Sequence, residues 1–126
     1  MATALAVALG GAAGSLARFY LVVALRRLEP LLPWGTLFVN VTGSFLIGAA
    51  WAWCLARPDT PEWARVGLMT GLLGGYTTLS TVSLETVLLL ESGAYWTAAG
   101  NVAMNFGLGL LACLAGLWLL RPFFSA

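Results

Sequence analysis

Four apolar runs, each long enough to cross a lipid bilayer and separated by only a few polar residues, constrain this chain more than any other feature. They extend from about Ala2 to Leu25, Trp34 to Ala56, Trp63 to Leu90 and Tyr95 to Leu120. A helix rises about 1.5 Å per residue and the hydrocarbon core is about 30 Å thick, so roughly 20 apolar residues make one crossing. The breaks RRLEPLLP, RPDTP and ESGA carry most of the charge and four of the five prolines, which is where water should begin. With 60% of its residues hydrophobic and 9% charged, against roughly 25% charged in a soluble domain, the chain has lipid as its solvent. We expect an all-α membrane protein in one transmembrane domain, residues 1–126, with four helices per subunit and no room for a second domain.

The first eighteen residues, MATALAVALGGAAGSLAR, lack a basic leading region and continue into a full span, so they are expected to be the first helix and not a cleaved signal. Cys54 and Cys113 both sit in apolar runs, where a thiol behaves as a small hydrophobe. Histidine is absent, which removes the commonest general base and metal ligand; an enzyme is not expected. Neither is nucleic acid a partner of so apolar a chain. Six tryptophans lie mostly near segment ends, as interfacial anchors do.

The third segment is unusually long and contains GLLGGYTTLSTVS near its middle. Adjacent glycines followed by threonines and serines weaken a helix and supply hydroxyls for freed backbone groups, so the third helix is expected to break in mid-membrane. The loop charges barely fix an orientation: Arg26 and Arg27 lie on one side, and Arg57, Arg65 and Arg121 on the other. A chain with so weak a bias is expected to insert both ways and pair as an antiparallel, dual-topology dimer, an inverted repeat made from one short sequence.

Glycines four apart, Gly10 with Gly14 and Gly67 with Gly71 and Gly75, form the small-residue stripes that let helix backbones approach closely in lipid. Gly107, Gly109 and Gly116 are explained by the frequency of glycine in membrane helices. The polar residues inside the spans form the functional shortlist. Arg18 lies seven residues from the end of the first span, roughly 10 Å deep, where its guanidinium either snorkels to water or lines a wet vestibule. Asn40 and Ser44 are four apart and share a helix face, as do Asn101 and Asn105. Beyond the expected break, Leu79, Val82 and Glu85 advance in threes beside a hydroxyl row of Thr77, Ser80 and Ser83. Amides and hydroxyls of this kind can replace the hydration shell of a small anion without a fixed charge that would trap it.

The runs GGAAGSLARFY, GTLFVNVTGSFLIG and GLLGGYTTLSTVSLE, in this order, resemble the Fluc, or CrcB, fluoride channels over essentially the whole chain. The resemblance implies an antiparallel homodimer in the inner membrane, with two pores exporting fluoride passively from the cytoplasm. By motif position, Arg18 matches an arginine near the pore vestibule and Asn40 an asparagine on the fluoride path. Gly74 and Thr77 match positions whose backbone carbonyls hold a structural sodium ion at the dimer interface. Thr78, Ser80, Thr81 and Ser83 fall in the matching hydroxyl run, and Glu85 matches an acid at the end of the polar track.

This sequence departs from the family pattern in two places. Leu79 and Val82 stand where the family usually has phenylalanines, and Asn101 and Asn105 where it often shows tyrosine and serine. The missing rings remove the electropositive edges that would meet an anion. Either the amides compensate, conduction is altered, or the chain pairs with a different family member as a heterodimer. A competing class is the small multidrug-type cation/proton antiporter, which commonly needs an acid in the first helix, where this chain has Arg18 and no acid. A third is a non-transporting packing partner of a larger membrane complex.

Overall fold

The computed structural model describes residues 1–25 and 32–124, which are all-helical, with no strand among them. Arg26 and Arg27, counted in the loop bias above, lie outside the described residues. α1 spans Ala2–Leu25 and α2 spans Trp34–Ala56. The third segment is assembled from pieces: α3 (Glu62–Val66), a π-helical stretch (Gly67–Leu73), α4 (Gly74–Tyr76) and, after two non-helical residues, α5 (Leu79–Glu91). α6 runs from Tyr95 to Phe124, with Pro122 in its last turn. Three of these helices, α1, α2 and α6, are individually long and apolar enough to cross a membrane.

Helical backbone ends at Tyr76 because Thr77 (φ −87°, ψ 159°) and Thr78 (φ −152°, ψ 116°) are extended. α5 restarts with Thr78 as its N-cap, the Thr81 N–H donating to Thr78 Oγ1 at 3.2 Å, an arrangement worth about 0.5–2 kcal/mol. The turn from α5 into α6 closes around Gly93, whose φ of +79° suits a residue without a β-carbon. Gly93 N–H donates to Leu90 O at 3.0 Å and Ala94 N–H to Leu89 O at 2.9 Å, the paired bonds of a Schellman cap.

The glycine stripes are contacts within one chain. α1 lies against the π-helical stretch and α4, and a β-carbon on Gly10 would sit 2.6 Å from the Gly67 carbonyl oxygen. One on Gly75 would sit 2.6 Å from the Gly11 oxygen, and one on Gly14 would collide with the Leu72 oxygen. Backbone therefore meets backbone along this seam, which gains dispersion contacts that lipid tails cannot replace.

A second seam, between α2 and α6, corrects the expectation for Gly116. A β-carbon there would run into the Phe45 carbonyl, and one on Gly48 into the Cys113 carbonyl, so both glycines are required by close approach. Gly107 does face open space. The buried apolar residues are mostly small or medium, such as Val39, Ala50, Ala52 and Ala98, while Leu5, Phe19, Leu110 and Leu119 are exposed on the outside. Such a surface suits a hydrocarbon solvent.

Candidate functional site

The non-helical residues between α4 and α5 are held by side chains from α2 and α6. Thr78 N–H donates to Asn40 Oδ1 at 2.8 Å, and Asn40 Nδ2 donates to the Thr78 carbonyl at 3.1 Å and to Asn105 Oδ1 at 2.8 Å. Asn105 Nδ2 in turn donates to Asn101, at 2.9 Å to the backbone oxygen and 3.0 Å to Oδ1. Asn101 Nδ2 donates to Thr86 Oγ1 at 3.1 Å, returning the ladder to α5. Asn101 is 1% exposed and Asn105 8%, so these amides are satisfied almost entirely by protein, as a low-dielectric interior requires.

Around this ladder opens a groove of about 380 Å³ whose lining includes Asn40, Ser44, Thr77, Thr78 and Asn105 as its polar groups, with Leu79, Val82 and Phe106 among the apolar ones. Ser44 is half-buried and its hydroxyl makes no hydrogen bond with any described residue, so it is an uncommitted donor on the groove wall. A larger recess of about 520 Å³, bordered by Leu25, Trp34, Leu37, Phe38, Val41, Thr42 and Leu108, offers a hydroxyl and otherwise apolar walls. Its chemistry suits lipid, not an ion.

The sequence-selected residues divide. Asn40, Thr78, Asn101 and Asn105 form the ladder, and Ser80 and Thr81 join it through Thr78 Oγ1, at 3.1 and 3.0 Å. Ser83 is exposed and donates back to the Leu79 carbonyl at 3.0 Å. Glu85 is half-buried and accepts from Thr36 Oγ1 at 2.5 Å. Arg18 is half-buried on α1 and does not line the groove. The two rows expected along α5 do not persist: Thr77 lies outside that helix, and Val82 is buried while Leu79 is exposed, although both border the groove.

Thr36, Thr86 and Phe106 are participants that the sequence did not single out. Thr36 carried a usable signal, since Thr36, Asn40 and Ser44 are spaced by four and share one face of α2. Thr86 carried one as well, being the next step in threes after Thr77, Ser80 and Ser83, whereas Phe106 carried none, because adjacency to Asn105 in sequence does not place it in space.

Gly74 is exposed and Thr77 half-buried, and both carbonyls have lost their helical donors. A continuous helix would send the Thr78 N–H to the Gly74 oxygen and the Thr81 N–H to the Thr77 oxygen. These N–H groups go instead to Asn40 Oδ1 and Thr78 Oγ1. Two neutral carbonyl oxygens, released from the helix at adjacent levels, are a donor set that fits a hard monovalent cation.

Fold and groove together define a small multi-pass helical membrane protein with a partly polar groove beside a helix interruption. The family model "CrcB-like protein, Camphor Resistance (CrcB)" matches residues 5–117. The fluoride-specific ion channel FluC of Rhizobium meliloti is 46% identical over 118 residues, covering 93% of this chain and 94% of the relative. That of Bordetella petrii is 50% identical over 111 residues, covering 88% and 84%, and that of Erwinia tasmaniensis 45% over 121 residues, covering 95% and 96%. The chain belongs to the CrcB family.

Proposed function

We propose that this protein is a fluoride-selective passive channel, working as an antiparallel dual-topology homodimer in the inner membrane and exporting fluoride from the cytoplasm through two pores. The observation that carries the proposal is the opposition of half-helix ends at Thr77–Thr78, next to an amide and hydroxyl groove, in a chain whose relatives are named fluoride-specific channels. α5 begins there and presents the positive end of its dipole, with N–H groups that have no intrahelical partner. The helical run before it ends there and presents carbonyls. Anion and cation are thus each offered backbone groups of the right sign, with the interruption lying in mid-membrane.

In this account the anion passes Asn40, Ser44, Thr78 and Asn105, and the exposed Ser80 and Ser83, with Thr81, extend the hydroxyl lining toward Glu85. Asn101 supports the track from below, and Arg18 raises the anion concentration in the vestibule. Fluoride gives up hydration only where O–H and N–H donors replace it, and the Ser44 hydroxyl is free to do so. Phe106 on α6 brings an aromatic ring to a groove where Leu79 and Val82 have none. Sodium would be held by the Gly74 and Thr77 carbonyls of two copies, where it would neutralise the partial charges gathered at the interface and fix the pair.

A cation/proton antiporter gains no support, because α1 carries Arg18 and no acid and the matched relatives are named as channels. Cells lacking their own fluoride exporter separate the two. Expression of this protein should restore growth in fluoride and leave ethidium sensitivity unchanged; protection against ethidium alone would reverse the assignment.

A further inference from the structure

Resting on the sodium reading above, we infer that Asn40 and Thr78 are positioning residues for the cation site, and that Asn40 thereby belongs to both ion paths. The Gly74 carbonyl is available because Asn40 Oδ1 takes the Thr78 N–H at 2.8 Å. The Thr77 carbonyl is available because Thr78 Oγ1 takes the Thr81 N–H at 3.2 Å. Each side chain thus substitutes for a carbonyl as acceptor, and the carbonyl it relieves is one of the pair assigned to sodium.

The amide ladder makes this substitution directional. Asn40 can accept from Thr78 N–H only while its carbonyl end faces the interruption, and Asn105 Oδ1 fixes that orientation by accepting from Asn40 Nδ2 at 2.8 Å. Asn105 is fixed in the same sense by its two bonds to Asn101. The polarity of the ladder is therefore set at its buried end and delivered to the interruption at Thr78. Both Nδ2 hydrogens of Asn40 are engaged, to Thr78 O and to Asn105 Oδ1, so on this geometry the residue shapes the groove and leaves direct contact with the anion to neighbouring hydroxyls.

Two substitutions separate the roles of the two side chains. Asn40→Ala removes the acceptor for Thr78 N–H, and Thr78→Val removes the acceptor for Thr81 N–H at nearly constant volume. Thr78→Ser keeps the hydroxyl and controls for loss of fold. Unfolding of the purified dimer is followed against sodium concentration, with N-methylglucamine replacing sodium. The midpoint of sodium stabilisation should rise about tenfold in Asn40→Ala and in Thr78→Val and stay near that of the wild type in Thr78→Ser. Stabilisation equal in all four proteins would overturn the inference.

A second readout does not depend on sodium. Thr77–Thr78 is the one Thr-Thr pair in the sequence, so threonine labelled with carbonyl ¹³C and amide ¹⁵N yields a single carbonyl–amide correlation. Exchange of the Thr78 amide should be slow in the wild type and in Thr78→Ser labelled with serine, and at least about tenfold faster in Asn40→Ala. Unchanged exchange in Asn40→Ala would refute the clamp even if sodium binds. A wild-type dimer indifferent to sodium, with exchange as expected, would keep the clamp and remove the cation it was assigned to serve.

Discussion

Asn40 and Thr78 are joined by two opposed hydrogen bonds, N–H to Oδ1 at 2.8 Å and Nδ2 to O at 3.1 Å, so a side-chain amide pairs with the extended backbone as a neighbouring strand would. The backbone N–H and carbonyl of Thr78 are thereby satisfied without water. That is the condition for non-helical backbone at membrane depth.

Asn105 holds the outer edge of that pairing. Asn105→Ala takes one acceptor from Asn40 Nδ2 and two hydrogen bonds from the Asn101 oxygens, and we expect the protein to lose about 1–3 kcal/mol of stability. Equilibrium unfolding in mixed micelles measures this, and Val102→Ala, on the exposed side of the same helix, should lose less than about 1 kcal/mol.

Ser44 is predicted to act on the ion through its hydroxyl. Ser44→Thr and Ser44→Val have nearly the same shape and differ in one O–H, so fluoride flux through Thr should exceed that through Val by about tenfold. Rates measured on reconstituted vesicles decide it, with equal flux counting against the assignment.

The glycine seams yield a contrast in stability. Gly14→Ala and Gly116→Ala each push a methyl into a carbonyl of the facing helix, and each should cost about 1–3 kcal/mol. Gly107→Ala meets nothing within 4 Å and should be neutral or stabilising by up to about 1 kcal/mol. Thermal unfolding of the three variants checks the difference.

Dual topology predicts that a cysteine in place of the exposed Ser92, in a chain with Cys54→Ser and Cys113→Ser, is labelled by an impermeant maleimide in about half of the copies. Labelling of all copies, or of none, would mean a single orientation.

Much of the fold was legible because its causes are local. Apolar length announces a span, and GGYTT announces a place where helical hydrogen bonds are weakly held. Asn40, Asn101 and Asn105 stood out because amides in lipid need partners. Their pairing was not legible, since it depends on how α2 and α6 are rotated about their axes. That rotation is set by Gly48 and Gly116, and glycine spacing does not tell a contact from the high background of glycine in such helices. The Thr36–Glu85 contact was hidden because its partners are 49 positions apart in the sequence and on different helices.

Fluoride release from vesicles tests the central claim most directly. Purified protein is reconstituted into liposomes loaded with potassium fluoride or potassium chloride, and valinomycin is added to shunt potassium. Efflux of fluoride well above that of protein-free vesicles, with chloride retained, is the predicted result. Fluoride efflux no faster than from empty vesicles, or chloride leaving as fast as fluoride, would contradict it.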